Sequence, residues 1–285
     1  MNYRHAFHAG NFADVVKHAV LALLIERLKE KEAAFRLIDT HAGTGFYDLT
    51  ADQASRTGEW RQGIGRLMAH TLDKSLSDLL QPYLTVLKIA NGGGELTRYP
   101  GSPWIARELM RRQDRLTACE LHPDDAAALR DLFDGDRQVK TLMLDGWLAL
   151  GSFVPPKERR GIVLVDPPFE ERDDFDKLVA GLKAAHRRWP AGIYALWYPV
   201  KDLVAIDRFR AELERSEIPR IIRAELLIRS RASTGRFNGT GLVICNPPWK
   251  FEETLAALLA GLAPHLADGP GAGKVIDVIT GEQKV

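Results

Sequence analysis

The sequence predicts a doubly wound α/β fold, a mostly parallel Rossmann-like sheet with helices on both faces, interrupted by an inserted helical segment. Three observations predict it. Apolar runs of strand length alternate with stretches of helical period along most of the chain. The run Gly161 to Val165 shows no polar alternation, so both of its faces must be covered, as in a parallel sheet between helix layers. Two runs end on an acid followed by glycine or proline, Asp145-Gly146 and Asp166-Pro167, which places polar groups where ligands bind such sheets, outside the carboxyl ends of the strands.

At 285 residues the chain can bury about 75% of its unfolded surface and needs no disulfide or metal to be stable. Its two cysteines, Cys119 and Cys245, fall in apolar runs and read as reduced buried thiols, which points to a reducing compartment. No apolar run approaches the ~18 residues of a membrane span. The N-terminus lacks the cationic, apolar, small-residue succession of a secretion signal. A cytoplasmic protein without membrane contact is expected. With a net charge of +1, nucleic-acid binding would have to rest on local clusters.

In chain order, residues 11 to 30 place Val15, Val16, Ala19, Val20, Leu23, Leu24 and Leu28 at helical spacing, with Asn11 or Asp14 available as a cap. An arm containing Tyr3, His5 and His8 precedes this helix. The histidine pair is too sparse for a metal site, and no metal is expected. Phe35 to Asp39 reads as a strand opening into the turn Gly43-Thr44-Gly45, where backbone can approach a ligand closely. Asp48 stands where the dinucleotide fingerprint would require its third glycine. Residues 47 to 104 then break the alternation with helical sequence such as Leu76 to Ala90, a glycine run at 92 to 94, and a turn expected at Tyr99-Pro100-Gly101-Ser102-Pro103. They form the inserted segment, and residues 1–46 with 105–285 form the main domain. Ser102 falls at the start of a helix expected to run to Arg112, positioned to cap it or to touch a ligand.

Leu116 to Leu121 is the next strand. Its Glu120 stands where an acid accepts hydrogen bonds from ribose hydroxyls in nucleoside-binding sheets. Strands at Val139 to Leu144, ending in Asp145-Gly146, and at Gly161 to Val165, ending in Asp166-Pro167-Pro168-Phe169, continue the pattern. Helices at 173 to 188 and 202 to 215 flank a strand at Ile193 to Pro199. Residues 220 to 229 and 240 to 245 have too short a link for a crossover and read as an antiparallel hairpin at the far edge of the sheet. That link carries Arg231 and Arg236 without an acid, a composition suited either to solvent or to phosphate contact. Gly269 to Lys274 is a loop, since Val275 stands where a phosphate-binding loop needs serine or threonine.

Asp166-Pro167-Pro168-Phe169 has the chemistry for transfer to an exocyclic amine. The lone pair of such an amine is delocalised into the base. A carboxylate accepting one amino hydrogen, beside a carbonyl held rigid by Pro167, can localise the pair and take up the released proton. Phe169 can stack on an extruded base. Asn246-Pro247-Pro248-Trp249 has the same form, but its place after the hairpin argues against a catalytic role.

The chain resembles the bacterial 23S ribosomal RNA adenine-N6-methyltransferases, of the class I S-adenosylmethionine-dependent superfamily. The resemblance is carried by Tyr3-Arg4-His5, Lys17-His18, Asp39-Thr40-His41-Ala42-Gly43, Tyr99 to Pro103, Glu120-Leu121-His122-Pro123, Asp145-Gly146, Asp166-Pro167-Pro168, Tyr194 to Pro199 and Asn246 to Trp249. It implies that S-adenosyl-L-methionine is bound by His18, His41, Gly43, Ser102, Glu120, Asp145, Gly146 and Asp166. It further implies that Asp166 is catalytic and that Tyr3 and Lys17 touch the substrate; Arg231 and Arg236, on the composition of their link alone, are the candidates for further RNA contact. The implied partner is 23S rRNA, protein-free or in early assembly, and the enzyme is expected to act as a monomer. Phe169 replaces the tyrosine common in the family. It keeps the stacking surface and loses the hydroxyl. Methylation of DNA adenine or of a protein glutamine, a non-catalytic RNA-binding module and an NAD-dependent oxidoreductase are the competing readings.

Overall fold

The computed structural model describes residues 4–232 and 236–282. A 3-10 turn at His5–Phe7 leads into α1 (Phe12–Lys29), capped by Asn11, whose Oδ1 accepts the amides of Ala13 and Asp14 at 2.9 and 3.0 Å. β1 (Arg36–Asp39) follows, and then the segment that breaks the alternation. β2 (Phe46–Asp48) opens it and the chain forms α2 (Asp52–Thr57), α3 (Glu59–Gln62), α4 (Ile64–Ala69) and α5 (Lys74–Ala90) before returning as β3 (Arg98–Pro100). β2 and β3 pair antiparallel with Tyr47 opposite Tyr99. The turn expected from Tyr99 is therefore the end of a strand, a position proline tolerates because no further ladder bond is needed.

The βα units then resume: α6 (Ser102–Leu109), β4 (Arg115–Glu120), α7 (Pro123–Leu132), β5 (Val139–Met143), α8 (Gly146–Ser152), β6 (Gly161–Val165), α9 (Asp174–Arg188), β7 (Ile193–Val200) and α10 (Leu203–Glu214). β8 (Ile221–Leu227), β9 (Gly239–Cys245), α11 (Phe251–Leu266) and β10 (Gly273–Thr280) close the chain. Among the described residues the main sheet has eight strands in the order β10-β8-β9-β7-β6-β1-β4-β5. β5, β4, β1, β6 and β7 run parallel, and β9 is antiparallel to both β7 and β8.

The far end of the sheet corrects two expectations. The hairpin exists, but β9 is inserted between β7 and β8 instead of forming the edge, and β10 pairs antiparallel outside β8. β10 begins at Gly273, inside the stretch read as loop, and its residues are mostly half-buried. All five residues of β6 are buried, as the absence of alternation requires. Ile162 and Leu164 join the core under α1, α5, α6 and α11, while Val163 and Val165 face the second core under α9 and α10. Cys119 and Cys245 are free and buried. No helix among the described residues is long and apolar enough to cross a membrane.

Candidate active site

The strand order reverses between β1 and β6, so the connections leaving their carboxyl ends diverge and open a crevice. A cavity of about 520 Å³ lies there. Among the residues singled out from sequence, Lys17, His18, His41, Gly43, Ser102, Glu120, Asp145, Gly146, Asp166, Pro167 and Phe169 all line it.

One half of the cavity is built by backbone and acids. Gly43 has φ +60° and its added Cβ would collide with the Tyr47 hydroxyl. Its amide donates to Glu120 Oε2 at 2.8 Å, and the His122 amide donates to Oε1 at 2.8 Å. Glu120 is thereby fixed at the end of β4 with lone pairs to spare. At the end of β5, Asp145 caps α8 by accepting the Trp147 amide at 2.7 Å. A Cβ on Gly146 would strike the Thr40 carbonyl and the His41 ring, so only glycine fits. The Thr40 hydroxyl donates to the Leu164 carbonyl at 3.0 Å and therefore accepts from His41 Nδ1 at 2.8 Å, which leaves His41 Nε2 as an acceptor. Burial pushes the His41 imidazole down to about 4 and His18 down to about 3, so both are neutral. His18 Nδ1 lies 2.8 Å from the Tyr99 hydroxyl, itself 3.0 Å from that of Tyr83. Ser102 does not cap its helix. As its first residue it donates to Asp39 Oδ2 at 2.6 Å, and burial pushes that carboxyl up to about 7.

The other half centres on Asp166, where β6 ends. Lys17 lies on α1 with its side chain 4% exposed, and its Nζ donates to Asp166 Oδ2 at 2.5 Å and to Asp14 Oδ1 at 2.8 Å. Asp14 Oδ2 accepts the Gly10 amide at 2.8 Å and lies 2.9 Å from His5 Nε2. Burial by itself would raise the Asp14 pKa and lower that of Lys17. The charges of His5 and Lys17 hold Asp14 well below the carboxylate range, and those of Asp14 and Asp166 hold Lys17 above the lysine range. Phe169 adopts φ +51°, a strained conformation for a bulky residue. Its ring meets Phe175 and Trp197 edge-on at 4.9 and 5.6 Å. The Lys17 ammonium also sits 5.7 Å from the Trp197 ring centre.

Arg231, Arg236 and Asn246 fall elsewhere. Tyr3 lies outside the described residues. Arg236 is exposed on the β8–β9 link and does not line the cavity. Arg231 turns inward, its Nη2 reaching buried Glu225 at 3.4 Å, which also accepts the Tyr198 hydroxyl at 2.7 Å. Asn246 donates to the carbonyls of Pro190 and Gly192 at 2.6 and 2.8 Å, at the end of the antiparallel strand and away from the cavity. The sequence reading gives no site role to Asp14, Asp39, Tyr99 or Trp197, which stand in or directly behind the cavity wall. Of these, Asp14 had a signal: polar residues at 14, 17 and 18 interrupt a helix that is otherwise apolar on several sides.

Residues 32–279 match the family described as Ribosomal RNA large subunit methyltransferase D, RlmJ. The chain is 42% identical over 266 residues to ribosomal RNA large subunit methyltransferase J of Escherichia coli (strain K12), covering 93% of this chain and 94% of that protein. The Haemophilus influenzae protein of the same name is 41% identical over 277 residues, covering 96% and 98%. Among solved structures, a Legionella pneumophila protein superposes with a TM-score of 0.86 at 32% identity, covering 95% of this chain and 98% of that one. A probable spermidine synthase of Corynebacterium glutamicum shares the fold, with a TM-score of 0.51 at 15% identity, covering 96% and 81%.

Proposed function

The chain belongs to the family of ribosomal RNA large subunit methyltransferases D, RlmJ, and from that premise we propose that it methylates N6 of one specific adenine in 23S rRNA at the Asp166 edge of the cavity. The observation that carries this reading is the meeting of Asp166-Pro167-Pro168-Phe169 with the glycine turn, Glu120 and Asp145 in one crevice.

The donor set suits S-adenosyl-L-methionine. Glu120 has free lone pairs for two ribose hydroxyls, Asp145 can accept from an exocyclic amine, and Gly43 and Gly146 present bare backbone to the cavity, because protein atoms already occupy the place of a Cβ at each. His18, His41 and Ser102 complete this side of the cavity. When bound, the cofactor supplies an electrophilic methyl group. The protein's task is to present the amine. Asp166 accepts one amino hydrogen and the Pro167 carbonyl, held in a stiff Pro-Pro segment, accepts the other, so the nitrogen lone pair turns out of the ring plane. Asp166 then takes up the released proton. Phe169 stacks on the base, a contact of ~1–3 kcal/mol. Lys17 orients Asp166, Tyr3 touches the substrate, and Arg236 meets phosphate, while Arg231 holds the link that presents it. Residues 47–104 act as an inserted helical subdomain. The substrate is protein-free or early-assembly RNA, and the enzyme acts as a monomer in the cytoplasm.

The test is transfer of labelled methyl to protein-free 23S RNA, DNA and a protein extract by wild type and Asp166→Asn. Label in RNA as N6-methyladenosine is expected, with the variant about 10²–10⁴-fold slower. Saturating cofactor, at a hundredfold over Kd, should still stabilise the variant by about 3 kcal/mol. Label confined to DNA or protein, or an undiminished variant, would overturn the assignment.

A further inference from the structure

The catalytic cavity is poorly suited to holding a polyanion, since nine carboxylates line it against three lysines. A net charge of +1 supplies no general attraction either. If the substrate is a large RNA, as proposed above, the phosphate contacts that dominate affinity must be made elsewhere. A groove of about 570 Å³ lies at the opposite edge of the sheet, where β4 and β5 begin. Its walls are Arg107, Arg112, Arg115 and Arg137, with Asp134 and Asp136 the acids among its lining residues.

The groove is built by directed bonds. Gln138 Nε2 donates to the carbonyls of Arg111 and Asp114 at 2.8 and 3.2 Å, and Arg115 Nη1 donates to those of Arg112 and Asp114 at 3.0 and 2.8 Å. Asp136 is occupied: Oδ2 accepts from Arg107 Nε at 2.5 Å and Oδ1 from the Gln138 amide at 2.8 Å. The guanidinium groups of Arg112 and Arg137 make no hydrogen bond or ion pair among the described residues, and both residues are exposed. Planar guanidinium forks match phosphodiester oxygens in bidentate geometry, and an open groove suits a chain better than a small molecule. We propose that this groove is a second RNA-binding site, taking the phosphodiester backbone of the substrate at a distance from the target base, with Arg112 and Arg137 as its phosphate contacts. The proposal rests on the RNA substrate reading.

The test is binding of 23S RNA between 50 and 200 mM salt, with methyl transfer measured in parallel, for wild type and the double variant Arg112→Gln, Arg137→Gln. Removing two phosphate contacts flattens the salt dependence, so the fourfold rise in salt should weaken wild type about tenfold more than the variant. The loss should fall on KM for RNA, and Arg112→Lys with Arg137→Lys should recover the slope. An unchanged slope and KM in the glutamine variant would overturn the proposal while leaving the enzyme's function standing. Failure of the functional reading shows separately, as no methyl transfer to RNA by wild type, and the salt slope then decides the groove by itself.

Discussion

Replacing Lys17 by methionine tests the ionic chain that holds Asp166. The substitution keeps an unbranched stem and removes the charge. The ammonium lies 2.8 Å from Asp14 and 2.5 Å from Asp166, whose side chains are 2% and 13% exposed. With an effective dielectric constant near 20, each contact is worth roughly 6 kcal/mol of Coulomb energy, offset by several kcal/mol of desolvation per ion, so the intact set is close to neutral. Taking out the cation leaves two acids without it. The expected destabilisation is about 3–5 kcal/mol at neutral pH. The sign of its pH dependence follows from the depressed pKa of Asp14, which burial would raise but the His5 and Lys17 charges lower. A depressed carboxyl contributes stability that is present above its unfolded value near 3.8 and is lost as pH falls through the folded one. Lys17 contributes in the other direction, up to its unfolded value near 10.5, and both test pH values lie below that. Without the Lys17 charge the Asp14 carboxyl protonates at higher pH, so the deficit should be full at pH 7.5 and narrower near pH 4.5. Urea unfolding at both pH values measures it. A loss below about 1 kcal/mol, or one equal at both values, would refute the reasoning.

Two further substitutions separate the halves of the site. Glu120→Gln replaces an oxygen that accepts a backbone amide by an NH₂ that cannot, because both carboxylate oxygens are used at 2.8 Å. Calorimetry should show cofactor affinity about 10–100-fold weaker, from one unmet polar contact of ~1–3 kcal/mol; an unchanged Kd would remove Glu120 from the cofactor site. Asn246→Ala should leave methyl transfer at the wild-type rate while lowering stability by about 1–3 kcal/mol, since two carbonyls lose their donor and alanine must adopt φ +55°. A tenfold fall in turnover at full folding would return Asn246 to the catalytic candidates.

What the sequence made legible was local. A buried parallel strand announces itself by a mostly apolar run, and the residue that ends it is fixed at the sheet edge, so β1, β4 and β6 and the residues at or just after their ends could be placed before any coordinates, while β5, a half-exposed edge strand without such a run, is marked by the Asp145-Gly146 that follows it. What stayed hidden depends on contacts between distant segments. Asp14 is one turn from Lys17, but its meaning comes from Asp166, far along the chain. Tyr99 reads as part of a turn until β2 pairs with β3 and its hydroxyl meets His18. Ser102 reads as a cap or a ligand contact until its hydroxyl is seen to donate to Asp39. β10 carries the β-branched residues Val275, Ile276, Val278 and Ile279, but Asp277 breaks the run and it follows a glycine- and proline-rich stretch, so the sequence reading does not take it as a strand.

The two proline-rich motifs show where local chemistry stops deciding. Asp166-Pro167-Pro168-Phe169 and Asn246-Pro247-Pro248-Trp249 both follow buried apolar strands, and an amide can orient an amine much as a carboxylate can. Strand direction separates them. β6 runs parallel to β1, so its end opens onto the crevice with the glycine turn, whereas β9 runs antiparallel to β7 and delivers Asn246 to the opposite edge. There its side chain closes on the carbonyls of Pro190 and Gly192, and Trp249 is 80% exposed rather than packed in a pocket. The same reversal explains why β8 and β9 can be joined by a short link at the catalytic edge. That link places Phe237 on the cavity wall, 6.5 Å from Trp197, which a crossover helix would have carried away from the sheet's end. One antiparallel strand thus carries Asn246 away from the sheet edge that holds Asp166 and supplies part of the cavity wall at that edge.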